Sequence, residues 1–168
     1  MKSRPLLATE LLEKQHRKVE AAFKKLESKR TASLELLREL ANDLAAHMAI
    51  EQEIFYPAVR EVDEDLILEA YEEHSLAELA IKRLMATELN DESFPARVTA
   101  AKELIEHHVE EEEGDLFPEV EKALGKERLA ELGEQMKERF EEVLAAGFEA
   151  AVPKGFSKTS ADVAKSAA

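Results

Sequence analysis

The chain has 168 residues, of which 45% are hydrophobic and 36% charged, and its formal net charge is -14. This composition indicates one soluble, helix-rich domain, and the acidic balance argues against nucleic acid and anionic membrane surfaces as partners. Because the sequence contains no cysteine, disulfides, iron–sulfur clusters and cysteine–zinc sites are excluded. No stretch reads as a signal peptide or a membrane span, so we expect a cytoplasmic protein.

Apolar residues recur at helical spacing in five segments, and most of the few glycines and prolines lie where this spacing stops. The predicted helices run, in chain order, over about Thr9–Ser28, Ser33–Val59, Leu66–Leu89, Pro95–Leu124 and Glu127–Phe148. Short connections between the first four indicate antiparallel neighbours. We therefore predict an all-α fold, an up-down-up-down four-helix bundle with a C-terminal fifth helix laid against it.

The bundle is predicted to occupy residues 1–148. Residues 149–168 are mostly small or polar, with one proline, one glycine and no sustained period. Such a stretch has little apolar surface to bury when it orders. We therefore predict that residues 149–168 form a flexible tail.

The two halves of the predicted bundle resemble each other. "HRKVEAAFKKL" from His16 aligns with "HSLAELAIKRL" from His74, 58 residues later. "HMAIEQEIFYPAV" from His47 aligns with "HVEEEEGDLFPEV" from His108, 61 residues later. The extra residues fall in the connection between the third and fourth helices. The pattern indicates a duplicated helical hairpin.

The second and fourth predicted helices each carry a histidine and a glutamate four residues apart, His47 with Glu51 and His108 with Glu112. Residues at this spacing share one face of a helix, and here that face is the apolar stripe. A buried, ionised glutamate needs a counter-charge, and no lysine or arginine occupies the four core stripes. A metal cation is the economical explanation.

His16 and His74 lie on the apolar stripes of the first and third helices, so each helix supplies one inward histidine. Alone, each would be read as a core histidine with a hydrogen-bond partner. Together with the two His–Glu pairs, they predict four imidazoles and two carboxylates with pseudo-twofold symmetry. Such a set suits two metal ions bridged by the glutamates, with open positions for a small ligand.

The four helices carry "KQH", "HMAIEQEIFYP", "YEEH" and "HHVEEEEGDLFP" in that order, and "LAELGEQMKERF" lies in the fifth. With these motifs the chain resembles the hemerythrin-like, or HHE cation-binding, domain family over about residues 8 to 145. The resemblance implies two non-haem iron ions with bridging carboxylates and an oxo or hydroxo bridge. The ligands that it implies are His16, His47, Glu51, His74, His108 and Glu112.

The oxygen-carrying members of that family take an additional histidine from the third helix, four residues from its partner. Here Ala70 precedes His74 by four residues and Glu78 follows it by four. Glu78 is read either as a boundary glutamate facing water or a lysine, or as an extra ligand that favours iron(III). The departure predicts a poor reversible oxygen carrier.

Three further assignments concern Tyr71, His107 and the acidic run, and the first of them stays open between two readings. Tyr71 is read as a core aromatic with a satisfied hydroxyl, or as a donor or ligand at the metals. His107 has the spacing that the oxygen carriers use before an aspartate, but it is rotated off the stripe by about 100°. We therefore prefer His108 as the ligand and leave His107 as solvated or supporting. In the run "EEEE", Glu110, Glu111 and Glu113 are read as a solvated face.

Three functions compete on this evidence. The first is a diiron module that binds or senses oxygen, nitric oxide or another small ligand, or that handles iron. The second is a diiron enzyme acting on peroxide or nitric oxide, which ranks lower because no proton relay is evident in the sequence. The third is a metal-free helical interaction protein, which would leave the inward glutamates without a partner.

Overall fold

The computed structural model describes residues 5–167, and every regular element among them is helical. In chain order the elements are α1 (Ala8–Leu26), α2 (Leu34–Ile50), a π-helical turn π1 (Glu51–Phe55), α3 (Tyr56–Val59), α4 (Glu64–Met85), α5 (Phe94–Glu111), a second π-helical turn π2 (Glu112–Leu116), α6 (Phe117–Ala146), α7 (Phe148–Ala151) and α8 (Ser160–Ala167). The predicted all-α class is confirmed. None of the helices described is both long and apolar enough to cross a bilayer.

Local side-chain chemistry accounts for several helix ends. Ser33 accepts a hydrogen bond from the amide of Leu36 at 3.1 Å and so caps the start of α2. Asp63 caps α4 in the same way through the amide of Leu66, also at 3.1 Å. Gly125 has a φ of 74°, which interrupts the helical geometry inside α6. The interruption lies between the predicted fourth and fifth helices. Helix α6 therefore contains the end of the predicted fourth helix and nearly all of the predicted fifth.

The two π-helical turns begin at matching positions of the duplication, at Glu51 and at Glu112. In each turn a backbone amide reaches five residues back, from Tyr56 to Glu51 and from Phe117 to Glu112. A proline follows directly in both repeats, and its ring would collide with the preceding turn of a regular α-helix. The wider turn accommodates this proline, and π-helical turns of this kind recur at functional sites.

Four long helices enclose the centre of the molecule. Helix α1 packs against α2 and α5, and α4 also packs against α2 and α5, while α6 lies along α1 and α2. At Gly133 the backbone of α6 approaches Leu6 so closely that a Cβ atom on residue 133 would collide with the carbonyl oxygen of Leu6. The up-down-up-down order of the helices stays a prediction based on the short connections.

Two apolar cores lie along these helices, one on each side of a polar layer. The first contains Phe23, Leu40, Ile81 and Val98, and the second contains Leu12, Phe55, Ile67 and Leu116. The inward histidines stand where the helices pass from one core to the other. On α1, for example, His16 lies between Leu12 of the second core and Val19 of the first. The polar layer is thus enclosed by apolar packing above and below.

Residues 149–167 contain most of α7 and all of α8, and the flexibility predicted for residues 149–168 stays a prediction. Residues 1–4 and 168 lie outside the described chain. We define the C-terminal segment as residues 147–167, which contain α7 and α8. The amide of Phe148 donates to Asn42 Oδ1 at 2.8 Å, and Phe148 and Val152 join the first core. Ala161 is fully buried in the second core. Sequence reasoning missed this packing because only a few apolar residues carry it.

Candidate metal centre

The structure brings together the four histidines and two glutamates that the sequence singled out. Each of the four long helices contributes to this set, and no member is more than 6% exposed. The six residues are His16, His47, Glu51, His74, His108 and Glu112. The two glutamates are the first residues of π1 and π2. Each half of the duplication therefore contributes two imidazoles and one carboxylate to one buried layer.

The imidazoles form two pairs that meet through their Nε2 atoms. His16 Nε2 lies 3.2 Å from His47 Nε2. His74 Nε2 lies 3.0 Å from His108 Nε2. Nitrogen atoms this close cannot both carry a proton pointing at each other, so at least one lone pair of each pair is directed into the space between them.

The two carboxylates each reach both imidazole pairs. Glu51 Oε2 lies 3.2 Å from His47 Nε2 and 3.2 Å from His74 Nε2. Glu112 Oε2 lies 3.3 Å from His16 Nε2 and 3.6 Å from His108 Nε2. The candidate ligand atoms divide into two groups that share Glu51: His16, His47, Glu51 and Glu112 in one, and Glu51, His74 and His108 in the other. Each of the two groups could hold a metal ion.

Several carboxylate oxygens in the layer lack a conventional partner. Both oxygens of Glu51 and the Oε2 atom of Glu112 are buried and make no hydrogen bond to the described residues. Leaving such groups unsatisfied in a protein interior costs several kcal/mol. Nitrogen and oxygen donors converging on orphaned carboxylates suit first-row divalent cations such as iron. The residues present therefore fit a metal centre.

Each histidine is held by its outer nitrogen. The Nδ1 atom of His16 lies 2.7 Å from Glu113, and that of His47 lies 2.7 Å from Gln15. The Nδ1 atom of His74 lies 3.2 Å from Gln52, and that of His108 lies 2.7 Å from Glu73. A carboxylate or an amide oxygen can only accept, so each Nδ1 donates its proton outward. The Nε2 lone pair is then free to bind a cation, as in most metal-ligating histidines.

Sequence reasoning missed these four outer partners, and it assigned Glu113 to a solvated face. The duplication contained the signal. Gln15 and Glu73 directly precede the first histidine of each repeat, and Gln52 and Glu113 directly follow the bridging glutamate. The two repeats pair the same positions but use a neutral amide in one and a carboxylate in the other.

Tyr56 is a further member of the centre that the sequence did not single out. It is fully buried, and its hydroxyl donates to Glu112 Oε1 at 2.8 Å. The hydroxyl oxygen of Tyr56 also lies 3.2 Å from the Nε2 atom of His74 and 3.4 Å from that of His108. The matching residue of the second repeat is Phe117, whose ring stacks on His16 with centroids 6.0 Å apart. One half of the centre thus has a phenol where the other half has only a ring.

Burial and neighbouring charges shift the pKa values of the acidic groups in the layer. Burial, and then the facing Glu112, raise the pKa of Glu51 well above its usual range. Burial also acts to raise the pKa of Glu112, but His108 and His16 outweigh it and leave that pKa lowered. The phenol of Tyr56 has its pKa raised by burial and by Glu112, so it keeps its proton.

Three of the imidazoles differ in the direction of their pKa shift. Burial, followed by the neighbouring His16, lowers the pKa of His47 well below its usual value. Burial and then His108 do the same for the pKa of His74. Burial acts to lower the pKa of His108 as well, yet Glu112 and Glu73 raise it overall. His47 and His74 are therefore neutral at pH 7, which is the form that binds metals.

Three residues that the sequence left open stand outside both ligand groups. Glu78 is fully buried, but its Oε1 atom pairs with Lys82 Nζ at 2.7 Å. The side chain of His107 is 62% exposed and faces Glu73 and Glu111, with which it forms a third, partly exposed group of possible ligands. Tyr71 donates its hydroxyl proton to the backbone carbonyl of Gln52 at 2.9 Å. The geometry favours His108 over His107 and gives Glu78 a lysine partner.

A cavity of about 20 Å³ adjoins the four histidines. The rest of its lining is mostly apolar and includes Leu44, Met48, Ala77 and Ile105. Its size is close to that of one water molecule, so it accommodates only very small ligands.

The comparisons with known proteins agree with this site. The family model described as the hemerythrin HHE cation binding domain matches residues 7–120. A crystal structure of a hemerythrin HHE cation binding domain-containing protein from Mycobacterium kansasii, an Rv2633c homolog, aligns with a TM-score of 0.72 at 28% identity, covering 84% of this chain and 89% of that one. A protein from Nostoc sp. named as a DNA nickase is 27% identical over 125 residues, which are 73% of this chain but only 36% of that protein. The chain belongs to the hemerythrin HHE cation-binding domain family.

Proposed function

We propose that the protein is a non-haem diiron protein that binds or senses a small ligand such as oxygen or nitric oxide, or handles iron. The observation that carries the proposal is the pair of orphaned carboxylates, Glu51 and Glu112, each in reach of both imidazole pairs. His16 and His47 would hold one iron, and His74 and His108 the other. The family match supports cation binding, and the iron identity is our inference from the donor set.

Bound iron would supply open coordination positions and a change between ferrous and ferric states. The protein's own contribution is to direct the Nε2 atoms of the histidines at the centre, with His47 and His74 in the neutral form. The outer partners of the four histidines keep the Nδ1 protons directed away from the centre. The cavity beside the four histidines has room for about one water-sized molecule.

A diiron enzyme that acts on peroxide or nitric oxide is the second candidate, and one specific observation favours it. The Tyr56 hydroxyl carries a proton that points at Glu112 Oε1 inside the centre. Burial and Glu112 raise the pKa of Tyr56, so the phenol keeps its proton, and by turning away from Glu112 it would donate its single hydrogen bond to a small ligand. This is the polar donor that the sequence analysis did not find.

DNA nicking, the activity named for the Nostoc protein, is not part of the proposal. This chain spans about a third of that protein's length. Its net charge of -14 also repels the phosphates of DNA.

Metal analysis of protein purified without chelators and supplied with iron tests the proposal. We expect a ratio near two irons per chain. Glu51→Ala and Glu112→Ala should each lose metal, whereas Glu110→Ala, a change at an exposed position of α5, should retain it. A ratio near one in the unmodified protein, or equal retention by all three variants, would refute the diiron assignment. Peroxide and nitric oxide turnover assays on the loaded protein then separate the binding module from the enzyme.

A further inference from the structure

A chain of polar contacts leads from the surface to His16 in the first half of the centre. Glu113 accepts the proton of His16 Nδ1 at 2.7 Å, and it also forms an ion pair with Arg17. Arg17 Nη1 lies 3.0 Å from Glu20 Oε1. Arg17 is thus the outer group that holds Glu113 against its histidine. All of these residues belong to the duplicated hairpins.

The duplication assigns each member of this chain a counterpart in the second half. The counterparts are His74 for His16, Gln52 for Glu113, Glu78 for Glu20 and Ser75 for Arg17. The hydrogen bond to the histidine is present in the second half as well, because Gln52 accepts from His74 Nδ1 at 3.2 Å. The support that Arg17 gives to Glu113 has no equivalent from Ser75, since a serine lacks the length and the charge of an arginine. Ser75 Oγ instead contacts Thr159 Oγ1 of the C-terminal segment at 2.9 Å.

The C-terminal segment supplies the missing outer group. Ser160 Oγ accepts from Gln52 Nε2 at 3.3 Å. The same hydroxyl donates to Glu78 Oε2 at 2.5 Å, and the amide of Ser160 donates to that oxygen at 2.8 Å. Glu78 is in turn neutralised by Lys82 at 2.7 Å. Ser160 therefore occupies, between Glu78 and Gln52, the place that Arg17 has between Glu20 and Glu113.

The chain in the second half has a fixed direction. The Glu78 carboxylate can only accept, so the Ser160 hydroxyl gives its proton to Glu78 and offers a lone pair to Gln52. The amide nitrogen of Gln52 must then face Ser160, and its carbonyl oxygen must face the ring. That oxygen accepts from His74 Nδ1, which leaves the Nε2 lone pair directed at the centre.

We propose that the C-terminal segment completes the metal centre, with Ser160 acting as a positioning residue that fixes the orientation of Gln52 and so the tautomer of His74. The proposal rests on the diiron function only for its consequence on metal binding, because the tautomer is a property of the metal-free protein. It also gives a role to the burial of Glu78, which lies outside both ligand groups.

Long-range proton–nitrogen NMR of the metal-free full-length chain tests the proposal directly. We expect His74 to show a single tautomer protonated at Nδ1 in the unmodified protein and in Ser160→Thr, which keeps a hydroxyl. Ser160→Ala should show a second form of His74 protonated at Nε2. His47, which is held by Gln15, is the internal reference and should not change. A single Nδ1 tautomer in Ser160→Ala would overturn the proposal, as would the same loss in Ser160→Thr.

Anaerobic titration with ferrous iron against a chelator supplies the second measurement. Ser160→Ala should weaken one of two iron sites by about 10–100-fold, as expected for loss of an outer partner of a ligand, and leave the other unchanged. Two controls separate this effect from loosened packing. Ser75→Ala removes the contact to Thr159 without touching Gln52, and Ser166→Ala changes an exposed position of α8. Both controls should bind two irons as the unmodified protein does.

Equal weakening of both sites in Ser160→Ala, or an equal loss in Ser75→Ala, would overturn the positioning role. Failure of the unmodified protein to bind two irons would instead contradict the diiron function. In that case the NMR measurement still decides whether Ser160 sets the His74 tautomer.

Discussion

Replacing Glu51 with glutamine should stabilise the metal-free protein and weaken the iron-loaded one. Glu51 is fully buried, neither of its oxygens has a hydrogen-bond partner among the described residues, and its pKa is raised by burial and by Glu112. Without metal it therefore releases its proton at a higher pH in the folded protein than in the unfolded chain. Proton linkage converts this difference into a loss of folding free energy.

The magnitude follows from the ordinary glutamate pKa of 4.5. From 4.5 to pH 7 is 2.5 pH units, and at about 1.36 kcal/mol per unit the penalty is at most about 3 kcal/mol. Glu51→Gln removes this penalty but introduces an amide that needs partners, so we expect a net gain of about 1–3 kcal/mol. For a protein of this size that gain corresponds to a rise of roughly 2–10 °C in Tm.

Thermal melts of metal-free protein across pH check this reasoning and its sign. A raised pKa in the folded state means that stability is lost as pH rises above the unfolded value. The advantage of Glu51→Gln should therefore be absent near pH 4 and grow toward pH 7. With iron the order should reverse, because Glu51 is shared by both ligand groups and a 100-fold loss of affinity removes about 2.7 kcal/mol per site. Glu110→Gln is the exposed control. A metal-free variant less stable than the parent at pH 7, or an advantage that does not vary with pH, would refute the argument.

Three further predictions concern the loaded centre. Iron should raise the Tm of the unmodified protein clearly, because it binds only the folded chain, and coincident melts would contradict a buried site. Tyr56→Phe should retain two irons, since Phe117 shows that a plain ring fits the matching turn, but lose about 1.5–3 kcal/mol of stability and any peroxide turnover. Protein reduced anaerobically should oxidise irreversibly on exposure to oxygen, because each group offers only two imidazoles beside carboxylates. A spectrum that recovers over repeated removal of oxygen would contradict this last expectation.

The elements and ligands that could be predicted from sequence share one physical property, which is strong periodicity on an apolar stripe. The interruption at Gly125 falls where the predicted fourth helix ends, because a glycine in the left-handed region stops a helix regardless of its neighbours. His47 with Glu51 was recognisable because four residues make one helical turn. The selection of His108 over His107 followed from the same geometry, and the structure places the side chain of His107 mostly in solvent.

The contacts that sequence reasoning missed depend on proximity between helices, which has no local signature. Gln15 and Glu73 are ordinary polar residues until the packing of α1 and α4 places them against a histidine of a neighbouring helix. Glu113 is one of four adjacent glutamates, and its contacts with His16 and Arg17 distinguish it. The packing contacts of the C-terminal segment were not predicted for a similar reason. Its attachment relies on buried polar contacts such as that of Ser160 with Glu78, which a count of apolar residues does not detect.

Two departures from the duplication act on the same pair of histidines. Where the second repeat has Phe117, the first has Tyr56, and the hydroxyl of Tyr56 lies against His74 and His108. Where the first repeat has Arg17, the second has Ser75, and the C-terminal segment takes over as the outer support of His74. A duplicated hairpin with identical surroundings would give two equivalent metal positions. Because both departures act on the His74–His108 pair, the two positions differ in proton donors and in outer support. Sequential iron titration should therefore show two distinguishable binding steps rather than two equal ones.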